Sequence, residues 1–181
     1  MATSFYHCPE AVMSLSIYQI SIPAIKLALT NLSSIIDKAA AQTAAKKIDP
    51  KTVADSRLIF DMLPFKKQVQ IACDIAKGGA ARLAGIENPK HEDTEATLDD
   101  LKERIAKTLA FVDSITEQQL AGAESRTVEL KFPSMTLTFT GLNYVTQFVL
   151  PNVYFHVTTA YAILRANGVE VGKNDYLGKI Q

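Results

Sequence analysis

The chain has 181 residues, of which 48% are hydrophobic, and its 19 basic residues equal its 19 acidic residues in number. This length predicts one domain that buries a sizeable core without disulfides or metals. The hydrophobic content is too high for long disordered stretches. A balanced charge provides no general positive field for a phosphate backbone, so we expect no nucleic-acid partner.

The first residues do not follow the pattern of the rest of the chain. Residues 1–12 lack the basic start and apolar run of a signal peptide, and a recognisable pattern begins at Met13. We therefore expect a flexible N-terminal extension at 1–12, a single domain at 13–181 and a cytoplasmic location. Cys8 and Cys73 are too few for a disulfide framework, and Cys73 is predicted to be a buried apolar side chain.

Three helices are predicted in the first half of the chain. Apolar residues recur at helical spacing over 14–45. Asp49-Pro50 ends that pattern because a residue before proline avoids helical angles. A short helix is predicted over 52–62 and a longer one over 64–84, with Gly85 as its stop.

A loop, a helix and a hairpin are predicted next. Residues 87–96 are polar and predict a surface loop. Thr97 and Asp100 form a capping-box pattern that begins a fourth amphipathic helix. Alternation of apolar and polar residues on both sides of Pro133-Ser134 predicts a small β-hairpin over 127–139.

The last predicted helix covers 140–166, and no charged residue lies between Lys131 and Arg165. We reject a membrane span because the hairpin occupies the first part of this stretch and several polar side chains follow it. The sequence therefore predicts a buried central helix with a kink at Pro151. The tail after Gly168 is predicted to be irregular.

The candidate site is a set of polar residues on two helices. Asn152 and His156 lie four residues apart on the last helix, and Gln70 and Asp74 have the same spacing on the third. If the two helices face each other, the four side chains meet in an apolar interior. Two interpretations remain open. One is a closed hydrogen-bond network; the other is a working site with catalytic His156 and Asp74 and ligand-binding Asn152 and Gln70.

Two tyrosines are added to the predicted site, and a metal ion is considered for it. Tyr154 and Tyr161 flank His156 and are assigned to ligand binding, with satisfied core aromatic side chains as the alternative. A catalytic zinc normally takes three ligands from His, Cys, Asp and Glu, and only His156 and Asp74 qualify. We therefore assign no metal ligand and no cofactor, with a divalent metal as the alternative. The sequence contains no glycine-rich phosphate loop and no hydrolase or zinc-protease motif.

Two segments carry a family resemblance: 61–74, DMLPFKKQVQIACD, and 150–165, LPNVYFHVTTAYAILR. Together with 82–85 and 172–178 they resemble an uncharacterised domain-of-unknown-function family of the DinB-like superfamily, over about 13–178. The resemblance implies an all-α fold. This fold is a four-helix bundle with short extra helices and a β-hairpin inserted before the last helix, and it is often a homodimer.

The wider superfamily commonly holds a divalent metal with three histidines. One is on the second bundle helix, and two form an H-x-x-x-H pair on the last. By this resemblance His156, twelve residues before Gly168, matches the second histidine of the pair. Asn152 takes the place of the first, and the remaining position falls near Gln70. Two of the three positions would then carry amides, so we do not expect a retained metal.

The residues and the resemblance are compatible with three functions. The first is the binding of a small organic molecule in an apolar pocket near His156, with acid–base chemistry of the isomerase or lyase type. The second is a non-catalytic dimeric interaction or scaffold protein with a degenerate metal site. The third is a metal-dependent or thiol-dependent transferase, as among the superfamily relatives.

Overall fold

The computed structural model describes residues 15–179, and the extension predicted at 1–12 lies outside these residues. Helices make up most of the described chain, with one small hairpin. The elements are α1 (Ile17–Ala45), α2 (Pro50–Asp55), α3 (Phe65–Ala84), α4 (Leu98–Asp113), β1 (Thr127–Phe132), β2 (Met135–Thr140), α5 (Gly141–Asn143), a π segment (Tyr144–Val149), α6 (Leu150–Ala166) and α7 (Lys173–Leu177).

The ends of the long helices follow from local sequence. Gly85 has φ 68°, the left-handed conformation that ends a helix, as predicted for α3. The predicted capping box of α4 is confirmed, because the Thr97 hydroxyl accepts from the Asp100 N–H and the Asp100 carboxylate accepts from the Thr97 N–H. An equivalent box formed by Ser16 and Gln19 begins α1.

The four long helices pack around a common apolar core. α3 contacts α4 and α6, and α1 also contacts both. The core includes fully buried residues of each helix, such as Leu32, Val69, Leu101 and Val157. α1 is long and apolar enough to cross a membrane by length and composition alone, but half of its most apolar stretch is buried inside the protein. That burial is typical of a core helix.

The predicted hairpin is confirmed. β1 and β2 pair antiparallel, with Thr127 opposite Thr140 and Phe132 opposite Met135. Val128 and Leu130 are the buried residues of β1, so one face of the ribbon packs on the helices, as period-two alternation requires. The hairpin leads directly into α5 and thereby sets where the last long helical run begins.

The last helix is not the single kinked α-helix that the sequence predicted. After the short α5 the chain widens into the π segment, and regular α-helix resumes at Leu150. Pro151 lies in the first turn of α6. Because proline has no N–H to donate to the preceding turn, the departure from α geometry lies before it. The irregularity predicted at the proline is therefore found one turn earlier.

Two other predicted elements are also corrected. The second helix is shorter than 52–62 and covers only Pro50–Asp55, because Asp49 caps its start and Ser56 ends it in an extended conformation. The tail is not irregular throughout, since α7 forms and docks on α1. The side-chain amide of Asn31 donates to the Tyr176 carbonyl at 2.9 Å and anchors α7.

Candidate functional site

His156 lies on α6 where that helix packs against α3. Its Nδ1 is 2.8 Å from Oε1 of Gln68 on α3. Gln68 is buried and His156 half-buried. The ring of Phe155 meets the imidazole edge to face, with centroids 5.2 Å apart. The partner of His156 is therefore a residue that sequence reasoning did not assign to the site.

The hydrogen bonds of Gln68 determine which nitrogen of His156 carries the proton. Nε2 of Gln68 donates to the Leu63 carbonyl at 3.0 Å, so its Oε1 faces the imidazole as an acceptor. Nδ1–H of His156 must then be the donor, and Nε2 of the neutral ring keeps its lone pair. Burial lowers the pKa of His156, which favours the neutral ring at physiological pH.

Asn152 lies one turn before His156, as predicted, and is half-buried. Its Nδ2 donates to the Phe148 carbonyl at 2.7 Å, back along its own helical run. That carbonyl belongs to the π segment. The Asn152 side chain thus bonds to backbone at the junction between the wide turn and the regular helix. Its predicted part in ligand binding remains a prediction.

Gln70 and Asp74 do not join His156 as the sequence predicted. Gln70 donates to Glu95 Oε2 at 2.7 Å, and Asp74 Oδ1 lies 2.9 Å from Nη2 of Arg104 on α4. Successive helical residues are about 100° apart, so Gln68 and Gln70 point to different sides of α3. Gln68 faces α6, whereas Gln70 faces the loop before α4. The four predicted residues therefore belong to two separate clusters.

The second cluster is centred on Arg104, which is 2% exposed. Its Nη1 donates to Glu95 Oε1 at 2.9 Å and to the Glu92 carbonyl at 3.2 Å, and it lies 3.1 Å from Asp93. Burial alone would raise the pKa of Glu95, but the bonds from Arg104 and Gln70 hold it below its usual value. Arg104 thus ties the loop before α4 to the helices.

Several buried polar atoms of the same cluster make no hydrogen bond. Among the described residues, these atoms are Gln70 Oε1, His91 Nδ1, Arg104 Nε and Arg104 Nη2, of which Arg104 Nη2 still forms the ion pair with Asp74 at 2.9 Å. A cleft of about 410 Å³ lies beside them and is lined by His91 and Arg104. The sequence did not single out Arg104 as a cluster residue, because a cation on a charged amphipathic helix usually lies in solvent. Its position three residues after core residue Leu101 was the available signal.

The two predicted tyrosines lie in different surroundings. Tyr154 is 40% exposed and lines an apolar cleft of about 350 Å³ with Leu27 and Tyr176. Burial of the rest of the ring raises the pKa of Tyr154. Tyr161 packs edge to face on Tyr176, and its hydroxyl is 3.5 Å from the Val171 carbonyl. Tyr154 thus lines an open cleft, whereas Tyr161 packs against α7, and the predicted part of both tyrosines in ligand binding remains a prediction.

Cys73 is fully buried, as predicted, and burial raises the pKa of its thiol to about 12. Only the thiolate is an effective nucleophile or metal ligand. Cys73 is therefore unsuited to thiol chemistry.

The residues around His156 do not fit the three-histidine metal site of the superfamily. Gln68 rather than Gln70 reaches His156, and its oxygen already accepts from the imidazole. The remaining donors are one imidazole nitrogen and the amide of Asn152, a poor set for zinc. In residues 15–179, no three His, Cys, Asp or Glu side chains are grouped to hold a metal ion.

His156 does not line the five clefts of about 280 to 490 Å³ that have the best-defined shapes in the described part of the chain. Its imidazole lies beside Phe155, which is 55% exposed.

Comparisons with known proteins show which family the chain resembles as a whole. Residues 17–177 match the model of a family described as a domain of unknown function, DUF1993. A solved DinB family member protein from Shewanella denitrificans is 43% identical, with a TM-score of 0.82, and the match covers 90% of this chain and 92% of that chain. No curated protein matches. The similarity confirms a predominantly helical DinB-like fold.

Proposed function

Because the chain belongs to the DUF1993 family, a DinB-like domain of unknown function, we propose that it binds a small organic molecule beside His156 and uses the neutral imidazole as a proton acceptor. The architecture that presents this residue is a four-helix bundle of α1, α3, α4 and α6. The observation that carries the proposal is the hydrogen bond from His156 to Gln68.

That bond prepares His156 for base chemistry. Nδ1–H is held by Gln68, which leaves the lone pair at Nε2 as the basic position. A general base must be unprotonated when the substrate arrives, and the lowered pKa of His156 keeps it so at neutral pH. When Nε2 takes a proton, the imidazolium keeps its bond to the Gln68 oxygen, which stabilises the new charge.

The surface beside the imidazole favours a substrate with an apolar body. Phe155, whose ring meets the imidazole of His156, is 55% exposed, and Leu63, whose carbonyl accepts from Gln68, is 47% exposed. In the reaction, a carbon-bound proton moves to Nε2 of His156. It then returns to another atom of the same molecule in an isomerisation, or protonates a leaving group in an elimination. Neither reaction needs an electron donor or acceptor.

An ester probe tests whether Nε2 is accessible and basic. Neutral imidazole attacks p-nitrophenyl acetate, releases p-nitrophenolate and passes the acetyl group to water. In a Cys8→Ser background, we expect a hydrolysis rate that rises with pH around the pKa of His156 and is lost in His156→Asn. The matched control is His91→Asn, which should keep this component. A rate that is unchanged in His156→Asn would overturn the proposal.

A second candidate is self-association, because one face of the chain is both exposed and uncharged. Pro151, Tyr154, Phe155 and Thr158 are exposed along α6 at helical spacing. Leu27 on the adjacent α1 is 53% exposed. No charged residue lies between Lys131 and Arg165, so a second copy can cover this face without burying an unpaired charge from α6. A two-fold contact would pair the face with itself.

A further inference from the structure

A further cleft lies at the other end of the contact between α3 and the last helical run. It has a volume of about 280 Å³ and is formed by α3, the π segment, β1 and the loop after Gly85. Its hydrogen-bonding side chains are Arg82, Asn88 and Tyr144, together with Asp74, Glu129 and Lys131. Gln68 precedes Arg82 by fourteen residues, which corresponds to about 21 Å along a helix. This cleft is therefore separate from His156.

Three hydrogen-bond donors converge in this cleft. Nη1 of Arg82 donates to the Tyr144 hydroxyl at 3.2 Å, so the hydroxyl proton of Tyr144 is free to donate elsewhere. A Cβ at Gly78 would lie 2.5 Å from Arg82 Nη1 and 3.4 Å from Asn88 Nδ2. Both nitrogens thus approach the same point above the α3 backbone, and the absence of a side chain at Gly78 leaves room for them.

The carboxylates near the donors contact other cations, so the guanidinium of Arg82 is available to a ligand. Two carboxylates line the cleft, but Asp74 lies 2.9 Å from Arg104 and Glu129 lies 3.8 Å from Lys131. Within residues 15–179, no carboxylate lies within ion-pair distance of Arg82, whose partner is the neutral Tyr144. Burial raises the pKa of Tyr144, so the phenol stays protonated. The convergent groups are donors, which is the arrangement that an oxyanion needs.

Apolar side chains make up another part of the lining. They are Ile75, Leu130, Phe132 and Phe148. Phe148 and Tyr144 are stacked, with ring centroids 5.7 Å apart and an angle of 16° between the planes. The π segment supplies both rings, and such wide turns often occur at functional sites. A lining that combines apolar side chains with a few fixed polar groups is the usual form of a small-molecule site.

From these contacts we infer that the cleft binds a small organic acid, with its carboxylate held by Arg82, Asn88 and Tyr144 and its apolar or aromatic body against Phe148 and Ile75. The site is independent of the chemistry proposed for His156. The small volume limits the ligand to about the size of a phenyl ring with a short carboxylate arm. The guanidinium supplies the charge, and the neutral donors orient the carboxylate oxygens.

Phenylacetate and its neutral isostere phenylacetamide test the inference on the full chain. We expect phenylacetate to shift the NMR signals of Arg82, Asn88 and Phe148, with a Kd of about 1 mM. Phenylacetamide should bind at least about tenfold more weakly because it cannot form the charge-assisted bonds. Equal affinities for the two probes, or no shift at these residues at about 10 mM phenylacetate, would overturn the inference.

Matched variants assign the binding to Arg82. Arg82→Gln should weaken phenylacetate binding about tenfold or more, and Arg82→Lys should recover part of it. Arg165→Gln removes the same charge from the far end of α6 and should have no effect. If Arg82→Gln does not fold, Asn88→Ala in the exposed loop decides: unchanged affinity overturns the inference. His156→Asn should bind phenylacetate like the wild type, which separates this site from the proposed function.

Discussion

Gln68 and His156 form a hydrogen bond of 2.8 Å across the contact between α3 and α6. The same amide donates to the Leu63 carbonyl at 3.0 Å, so one side chain joins the loop before α3 to the imidazole. Because both ends of the amide are used, Gln68 cannot rotate without breaking two bonds. The proton of the neutral imidazole is therefore directed to Nδ1.

Replacing Gln68 should change the titration of His156. In Gln68→Glu, a carboxylate lies beside Nδ1 and favours the imidazolium, so the pKa of His156 should rise by about 1 unit or more. In wild type the pKa should lie below the ordinary value of about 6.5, because burial lowers it. Imidazole ¹⁵N shifts followed against pH measure both the pKa and the tautomer. A neutral ring protonated at Nε2 in wild type would contradict the assigned hydrogen bond.

Gln68→Ala should lower the free energy of unfolding and should also remove the bond that orients the imidazole of His156. It leaves the Leu63 carbonyl and the Nδ1–H of His156 without their partner, at a cost of about 1–3 kcal/mol. Urea unfolding measures this cost. Gln119→Ala is a suitable control, because Gln119 is exposed and its bonds are local; it should lose much less.

Stability should fall as the pH drops below the ordinary histidine range. Burial lowers the pKa of both His156 and His91, with the charges of Lys77 and Arg104 adding to the effect at His91. The unfolded chain binds protons at higher pH than the folded chain. The stabilisation from the neutral rings is therefore complete above about pH 6.5 and is lost as the pH falls through the lowered pKa values.

Urea midpoints at about pH 8 and pH 5.5 measure this loss. His156→Asn retains a donor near Nδ1 but does not titrate, so its midpoint should fall less over this interval than that of the wild type. His91→Asn should also show a reduced fall. If both variants follow the wild-type pH dependence, the two histidines are not responsible for it.

Arg104→Met should be strongly destabilising. Arg104 is 2% exposed and lies within 3.1 Å of carboxylate oxygens of Asp74, Asp93 and Glu95. Its removal leaves the Glu95 carboxylate, which is 10% exposed, without its cation, and breaking such a buried pair costs about 3–5 kcal/mol. The side chains of Asp74 and Asp93 are more than 40% exposed, so the loss of their pairs with Arg104 adds little. Chemical unfolding measures the loss. Lys107→Met, on the exposed side of α4, is the control and should change stability by less than about 1 kcal/mol.

Two neighbouring glycines provide an internal comparison of packing. A Cβ at Gly79 would lie 2.8 Å from Val149 Cγ1, whereas one at Gly78 meets the flexible end of Arg82. Alanine favours a helix over glycine by about 1 kcal/mol at either position. Gly79→Ala should nevertheless be less stable than Gly78→Ala by about 1–3 kcal/mol, because overpacking offsets that gain. Thermal unfolding measures the difference, and Val149→Ala should reduce it when combined with Gly79→Ala.

Self-association should depend on the uncharged face of α6. Phe155 is 55% exposed and Tyr154 is 40% exposed, and a charge placed there would be buried by a second copy. Phe155→Glu should therefore shift a dimer to monomer in light scattering after size-exclusion chromatography. Glu124→Gln, at a different exposed position, is the control. A wild-type chain that remains monomeric at about 100 μM would contradict this candidate.

The regular elements followed from sequence because local chemistry determines them. Gly85 ends α3 and the Thr97–Asp100 box begins α4, since each of these signals acts within one helical turn. The π segment was missed because its uncharged residues fit an α-helix and a wider turn equally well. α7 was missed because a five-residue helix depends on docking, here through Asn31 and Tyr176.

The surroundings of His156 were predicted only in part, for a geometric reason. His156 and Asn152 share a face of one helix, which spacing alone determines. Which residue of α3 meets them depends on the rotation of α3 about its axis, and that rotation is set by packing. Gln68 and Gln70 are both buried glutamines of the same apolar segment. The sequence therefore contained both candidates without a means to choose between them.

The π segment also has a consequence for insertions and deletions. A wide turn changes the phase of the helix that follows it, and one residue of α-helix corresponds to about 100° of rotation. Deleting one residue from Tyr144–Val149 would straighten the turn. The deletion would also rotate the imidazole of His156 away from Gln68, and it would move the rings of Tyr144 and Phe148 away from Arg82. The length of this six-residue segment thus sets the rotational alignment of two distant surfaces at once.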